Sequence, residues 1–464
     1  MKNLQGLFVL LTCTCVTLFA QNNYSIDFHI HQCDDSLLYI ISYCGDKTWR
    51  SDSMAMQKDG SFHLQAEDYA EGMYMVAGKY GNMFSFVMEK NKQFSIEIYP
   101  SGEYYIKNSP ENEQFFMYQL ENRRCQGEME KYKLKVQENP SLQDSLRKAI
   151  MPVIDSFSLF QKQFFASYPD NLITVVTQGM NQSVPPEFLE NGKLKPSMQK
   201  QYMSYYRQHY WDNFHFADLR ILYSPYFFAQ FKQYIEEVTI QYPDSVCRAI
   251  DDFVQKADAD GGREYADYIL TWYLDNYLMM PFSFNEMVFM HIADKYLDRV
   301  SSFLMPSAVE EFKEHAQKIK PFLPGNVMPN MILQDFDGKY HRLYMSDHEY
   351  TIVYFFSSMC ESCKKNLDEL KSFYWTDAKK YDAEIYSIDI EPDIAICRAR
   401  QQSDPFEWIV VHATAQELEP YHLDLDHTPQ LYILDKNKRI INKTAVYNHV
   451  RQAIEIDFNG KNLK

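Results

Sequence analysis

The chain has 464 residues, 46% of them hydrophobic and 16% aromatic, enough for about three ordinary domains with real cores. Its 46 basic residues face 63 acidic ones, a formal charge of −17. That balance argues against a nucleic-acid partner, which would need a basic patch to displace counterions, and otherwise bears on solubility rather than fold.

The first twenty residues have the form of an export signal. Lys2 is a minimal positive start, Leu4 to Phe19 is mostly apolar, and the small Ala20 precedes Gln21, which predicts cleavage between those two. Thr12, Cys13, Thr14 and Cys15 interrupt the apolar run, which weakens it as a permanent anchor. The mature chain is expected to be exported to the periplasm. A tether through the N-terminus is a second reading, because Leu10-Leu11-Thr12-Cys13 is similar to a bacterial lipobox, with Thr12 where a smaller residue is usual. Cys13 would then carry a lipid.

Residues 21–110 predict an antiparallel β-sandwich. Ile26, Phe28 and Ile30 alternate with Asp27, His29 and His31, the two-residue period of a strand. Asp59-Gly60 is a hairpin turn, and the runs from Gly72, Phe84 and Phe94 repeat the alternation. Short strands at regular spacing argue for two packed sheets. Residues 111–320 change to helical spacing, as in Phe227, Phe231, Tyr234 and Val238. Prolines from Pro140 to Pro306 break this stretch, predicting an all-α domain of about eight helices. Pro321 to Pro329 reads as a linker. Residues 325–464 then read as an α/β domain: Tyr350 to Phe356 is a strand apolar on both faces, Lys364 to Lys380 is helical, and Glu384 to Asp389 and Trp408 to Val411 are strands. Asp393 to Gln402 is a helix, and a last hairpin turns at Asp435-Lys436-Asn437-Lys438.

Of nine cysteines, Cys13 and Cys15 lie in the signal, leaving Cys33, Cys44, Cys125, Cys247, Cys360, Cys363 and Cys397. An odd number cannot all pair within one chain. Only Cys360-Glu361-Ser362-Cys363 has a spacing with chemical meaning. It falls where a buried strand ends and a helix begins. There the free N–H groups and positive end of the helix favour a thiolate at Cys360, and Cys363, one turn on, can resolve a mixed disulfide. A zinc half-site, a static disulfide and two unrelated thiols are the competing readings; a zinc site would need a second pair, and no second C-x-x-C or C-x-x-H follows, while the place between strand and helix favours redox chemistry. His427-Thr428-Pro429 precedes the strand beginning at Gln430. A proline there cannot donate to a sheet, and a cis bond would bare a backbone edge.

From Gly325 to Thr444 the sequence resembles the thioredoxin superfamily, above all its exported TlpA/ResA-like branch. The resemblance rests on the Pro329 lead-in with its Asp337-Gly338-Lys339 turn, the C-x-x-C, Thr428-Pro429 and the closing hairpin. It implies a thioredoxin-like fold, Cys360 as attacking thiol, Cys363 as resolving thiol and Pro429 as a cis proline, with Thr428 and Met359 at the client. Two departures stand out: Met359 replaces the usual Trp before the first Cys, and Asn366 replaces a Glu that moves a proton at the buried thiol. Residues 24–112, with Asp59-Gly-Ser-Phe62 and Asn108-Ser-Pro-Glu-Asn112, resemble a β-domain found ahead of such thioredoxins in Bacteroidota. His209 to Asp218 and His291 to Tyr296 resemble a helical domain of unknown function from the same proteins.

Weaker signals remain. His29, His31 and Cys33 alternate on one face and could ligate a metal, though a solvated strand face is the commoner meaning. Cys33 and Cys44 could bridge neighbouring strands. The aromatic run Tyr202, Tyr205, Tyr206, Tyr210, Trp211, Phe214 and Phe216 could line a client or glycan groove, though such spacing usually marks core. A peroxiredoxin is excluded because Val353 stands where its Pro is required, and there is no G-x-x-x-x-G-K, H-E-x-x-H or G-x-S-x-G. The whole reads as an exported thiol–disulfide oxidoreductase that needs no metal or cofactor. It would act on client proteins with thiols or disulfides and be served by an upstream thiol electron donor. The alternative is a binding or scaffold protein with a vestigial redox pair.

Overall fold

The computed structural model describes residues 23–462 apart from 182, 183, 191, 192, 278–281, 424 and 426. The export signal, its cleavage site and the lipobox at Cys13 lie outside the described residues. The described residues divide into two compact units, one of those up to 241 together with 248–268, the other of 242–247 together with those from 269 onward.

The first unit begins with eight strands: β1 (Tyr24–Ile30), β2 (Leu37–Cys44), β3 (Lys47–Ala55), β4 (Phe62–Ala66), β5 (Gly72–Gly78), β6 (Gly81–Met88), β7 (Gln93–Ile98) and β8 (Tyr104–Lys107). They form two four-stranded sheets, β4-β1-β7-β8 and β3-β2-β5-β6. Their inner faces share one core that includes Phe28, Leu38, Ile40, Phe62, Val76, Phe86 and Ile96. The alternation seen in the sequence is the alternation of burial: Ile26 and Phe28 face in, Asp27 and His29 face out. The sandwich is not wholly antiparallel, because β1 pairs with β7 in parallel, Ile26 opposite Phe94 and Phe28 opposite Ile96. Alternation fixes which face a strand buries but not the direction of its neighbour.

Helices follow: α1 (Pro110–Glu138), α2 (Gln143–Ser167), α3 (Leu172–Met180), α4 (Gln199–Gln208), α5 (Tyr226–Gln233), α6 (Pro243–Ala259), α7 (Arg263–Tyr277), α8 (Ser283–Val300) and α9 (Pro306–Ile319). Between α3 and α4 a two-residue rung pairs β9 (Leu189–Glu190) with β10 (Lys193–Leu194), so the stretch is not purely helical. The Asn108-Ser-Pro-Glu-Asn112 motif is the junction of sheet and helix. Ser109 caps α1 and Pro110 opens it. Fully buried Asn112 accepts from the Val87 N–H and donates to the Val87 carbonyl, both at 2.7 Å. Glu111 and Asp218 share the half-buried Arg220 at 2.9 and 2.6 Å. In the aromatic run, Tyr210, Trp211, Phe214 and Phe216 are buried, and Trp211 packs edge-on against Phe253 and Phe214. That half of the run is core, not an open groove.

The second unit is built on a seven-stranded sheet of β11 (Ile332–Gln334), β12 (Tyr340–Arg342), β13 (Tyr350–Phe356), β14 (Ala383–Asp389), β15 (Ile409–His412), β16 (Gln430–Asp435) and β17 (Ile440–Thr444). The order is β12-β11-β15-β14-β13-β16-β17. β14 runs parallel to β13 and to β15, whereas β16 runs antiparallel to β13. Its helices are α10 (Glu361–Thr376), α11 (Ala378–Tyr381), α12 (Ile394–Ser403), α13 (Ala415–Leu418) and α14 (Tyr447–Asn462). Every residue of β13 is buried, as its unbroken apolar run requires. One face packs Leu367, Leu370 and Phe373 of α10 and Val450 and Ile454 of α14. The other face is covered by Phe322, Met328, Met331 and Leu343.

The proline-rich stretch is therefore not a free linker. Phe322 and Met328 are core, and the N–H groups of Gly325 and Met328 bond to Ile440 and Lys438 at 2.8 and 2.9 Å. Helix α8 joins the same unit at its sheet edge. Ser283 Oγ accepts from the Lys443 N–H at 2.5 Å, and the Lys443 ammonium meets Glu286 at 2.6 Å, each side chain only 2% exposed. Among the described residues no helix is long and apolar enough to cross a membrane.

Candidate redox site

β13 ends at Phe356, and the chain turns through Ser357, Ser358 and Met359 into α10. Cys360 is the N-cap of that helix, with extended backbone angles, and its Sγ lies 3.2 Å from the Cys363 N–H. A sulfur at this position faces the unpaired N–H groups and positive end of the helix, which favour negative charge. Cys360 and Cys363 are joined as a disulfide. Cys360 is half-buried, whereas Cys363 is 1% exposed beneath it. An outside thiol or disulfide can thus reach the first sulfur and not the second.

The Thr428–Pro429 peptide bond is cis. The Thr428 carbonyl oxygen stands 3.8 Å from Cys360 Sγ, so the sequence-distant Thr428-Pro429 and the disulfide form one surface. Met359, beside them, is 65% exposed. The five site residues expected from the sequence, Cys360, Cys363, Pro429, Thr428 and Met359, lie around this point. Glu361 points outward, its side chain 85% exposed and paired with Lys364 at 2.6 Å, so solvent weakens its opposition to a thiolate.

Two neutral side chains, Tyr354 and Asn366, stand near buried Cys363. The Tyr354 hydroxyl donates to the Cys363 carbonyl at 2.9 Å, and burial pushes that phenol far above its ordinary range. Asn366, 5% exposed, donates to the Ala445 carbonyl at 2.9 Å and accepts from the Tyr447 N–H at 3.3 Å. It is a structural tie between α10 and the turn after β17.

Sequence reasoning missed the groups behind the redox turn. Asp389, at the end of β14, is 2% exposed and accepts from the Ser358 N–H at 3.2 Å and from the Ser358 hydroxyl. Glu391 accepts from the Ser357 hydroxyl at 2.6 Å. Only the parallel register, Phe356 opposite Asp389, brings them there. The buried Cys397 lies behind the same turn, and burial, with Asp389 beside it, pushes its thiol up to about 12. It stays protonated and unreactive at neutral pH.

The other sequence candidates are elsewhere. His31 pairs with Glu97 at 2.7 Å and stacks on Tyr99. Among the described residues no three His, Cys, Asp or Glu side chains gather as a metal site. Cys33 and Cys44 are separate free thiols.

Residues 195–319 match the family described as a domain of unknown function, DUF5106. This range contains both helical motifs noted in the sequence. The chain is 24% identical over 135 residues to the thiol-disulfide oxidoreductase ResA of Geobacillus thermodenitrificans, covering 28% of this chain and 76% of that one. Among solved structures, a thioredoxin-like protein from Bacteroides caccae has 18% identity and a TM-score of 0.46, over 59% of this chain and 98% of that one. A domain of a possible thiol-disulfide isomerase from Cytophaga hutchinsonii has 27% identity and a TM-score of 0.28, over 31% and 97%. With a strand–C-x-x-C–helix at its centre and this curated relative, the C-terminal part of the chain is similar to the TlpA/ResA-like thiol–disulfide oxidoreductases of the thioredoxin superfamily.

Proposed function

We propose that the protein exchanges disulfides with client proteins through Cys360 and Cys363. The observation that carries this is the asymmetry of the pair: an accessible sulfur at a helix N-cap above a buried one. In the reducing direction the Cys360 thiolate attacks a client disulfide. One S–S bond forms, the client S–S bond breaks, and the leaving client sulfur takes up a proton. Cys363 then gives up its proton and attacks Cys360 Sγ, which releases the second client thiol and leaves the Cys360–Cys363 disulfide. A thiol donor must return two electrons before the next cycle. In the oxidising direction the same steps run backwards. Thr428 and Met359 lie where a client backbone would rest.

The site acts outside the cytoplasm on this reading, in the periplasm, with residues 1–20 as the export signal. The sandwich of residues 21–110 and the helices of residues 111–320 would position the thioredoxin-like part, residues 325–464, or recruit clients. Reduced C363S protein, mixed with a disulfide-bonded client such as insulin, should trap a mixed disulfide at Cys360 that dithiothreitol releases. If C363S and C360S capture equal amounts of client, and neither linkage is sensitive to dithiothreitol, the chain is a binding protein with an idle pair.

A further inference from the structure

The turn that carries Cys360 is held from behind by two carboxylates, Asp389 at the end of β14 and Glu391 two residues beyond it. β13 and β14 run in register to Phe356 and Asp389, and the Ile390 N–H extends the pairing to the Phe356 carbonyl at 2.8 Å. There the strands part. The chain leaving β13 must cover three residues before the helix cap, and its backbone donors need partners away from a ladder. The Ser358 N–H goes to Asp389 at 3.2 Å, the Met359 N–H to Ser357 Oγ at 3.2 Å, and the Cys360 N–H to the Ser357 carbonyl at 3.0 Å. Both serine hydroxyls are then fixed in turn, Ser358 by Asp389 and Ser357 by Glu391. Asp389 also accepts from the Glu391 N–H at 3.1 Å, and the Glu391 carbonyl is met by His412 at 2.9 Å. The chain of hydrogen bonds thus runs from the redox turn through the end of β14 to β15.

We propose that Asp389 and Glu391 are positioning residues for the redox turn, and that their charge behind it biases the Cys360–Cys363 pair toward the disulfide. The inference rests on the redox reading above and gives it a direction. A carboxylate held near the turn opposes a thiolate at Cys360 by like-charge repulsion, which buried surroundings screen poorly. The thiolate belongs to the reduced form, so raising its energy favours the disulfide and makes the dithiol the stronger reductant, the reverse of an oxidant whose reduced form is stabilised. The protein then donates electrons to client disulfides.

The test compares full-length wild type with Asp389→Asn and Glu391→Gln, which keep an acceptor oxygen and remove the charge. Each is equilibrated with reduced and oxidised glutathione and read by alkylation and mass. The equilibrium constant for reduction of the pair should rise at least about tenfold in Asp389→Asn, about 30 mV for this two-electron couple, and in the same direction in Glu391→Gln. Alkylation of reduced Cys360 by iodoacetamide at pH 7 should quicken in both. A merely structural clamp would lower the urea midpoint and leave both redox readings at wild-type values, which overturns the proposal. Glu391, partly exposed, keeps the test open should Asp389→Asn fail to fold. A wild type without a reversible couple refutes the redox reading itself; a wild-type couple with unmoved variants refutes only this inference.

Discussion

The buried pair of Lys443 and Glu286 gives the sharpest test of how α8 is joined to the sheet. Both side chains are 2% exposed and 2.6 Å apart. Burial alone would push the Lys443 ammonium down; the neighbouring Tyr432 and the Glu286 carboxylate outweigh it and hold the group above its ordinary range. Glu286→Ala takes the carboxylate from a cation that cannot reach water. Removing one partner of a buried pair costs about 3–5 kcal/mol. With a urea dependence of about 3 kcal/mol per molar, the midpoint of the second unit should fall by roughly 1–2 M. Glu286→Leu with Lys443→Met removes both charges and should recover most of the loss, because a hydrophobic replacement of a buried pair is often neutral or better. Urea titrations followed by tryptophan fluorescence and far-UV circular dichroism measure all three proteins. A midpoint shift below about 0.3 M for the single variant, or a double variant no better than it, would refute the reasoning.

Three further outcomes are expected. Cys397, buried and with its thiol pushed up to about 12, should resist iodoacetamide at pH 8 in the folded protein and react only after denaturation; Cys397→Ala should leave the exchange equilibrium within about twofold of wild type. Asn366→Glu puts a proton acceptor beside Cys363 at the loss of the bond to the Ala445 carbonyl. Release of a preformed mixed disulfide at pH 7, timed by quenched flow, should quicken at least about tenfold, and an unchanged rate would mean that another group takes the proton. Asn112→Ala strands the Val87 N–H and carbonyl in the interior and should cost about 2–4 kcal/mol by chemical denaturation, whereas a loss under about 0.5 kcal/mol would mean that water or a neighbour replaces the amide.

Much of the redox site was legible because its signals are local. An unbroken apolar run, a C-x-x-C directly after it and a helical spacing beyond it put Cys360 at a helix start without any knowledge of the rest. Thr428-Pro429 needed the family resemblance, since a proline before a strand has many uses. The clamp was not legible: Asp389 reads as the polar last residue of a strand, and only the register of β14 against β13 makes it a partner of Ser358. The parallel pairing of β1 with β7 was hidden for a related reason, because alternation is the same in either direction. The proline-rich stretch misled in another way. Prolines and a glycine describe a backbone that forms no regular element, yet Phe322 and Met328 within it are core residues of the sheet. Asn366 read as a missing acid; in the fold it is a hydrogen-bonded tie that explains why an amide suits the position.

The measurement closest to the central claim is the redox titration of the Cys360–Cys363 pair in dithiothreitol and glutathione buffers, with alkylation and mass analysis of the peptide that holds both cysteines. One reversible two-electron couple is expected, lying well below the ~−180 mV of protein disulfide isomerase and lost in C360S and in C363S alike. A pair that stays in one state across all buffers, or a couple that survives removal of Cys360, would contradict it.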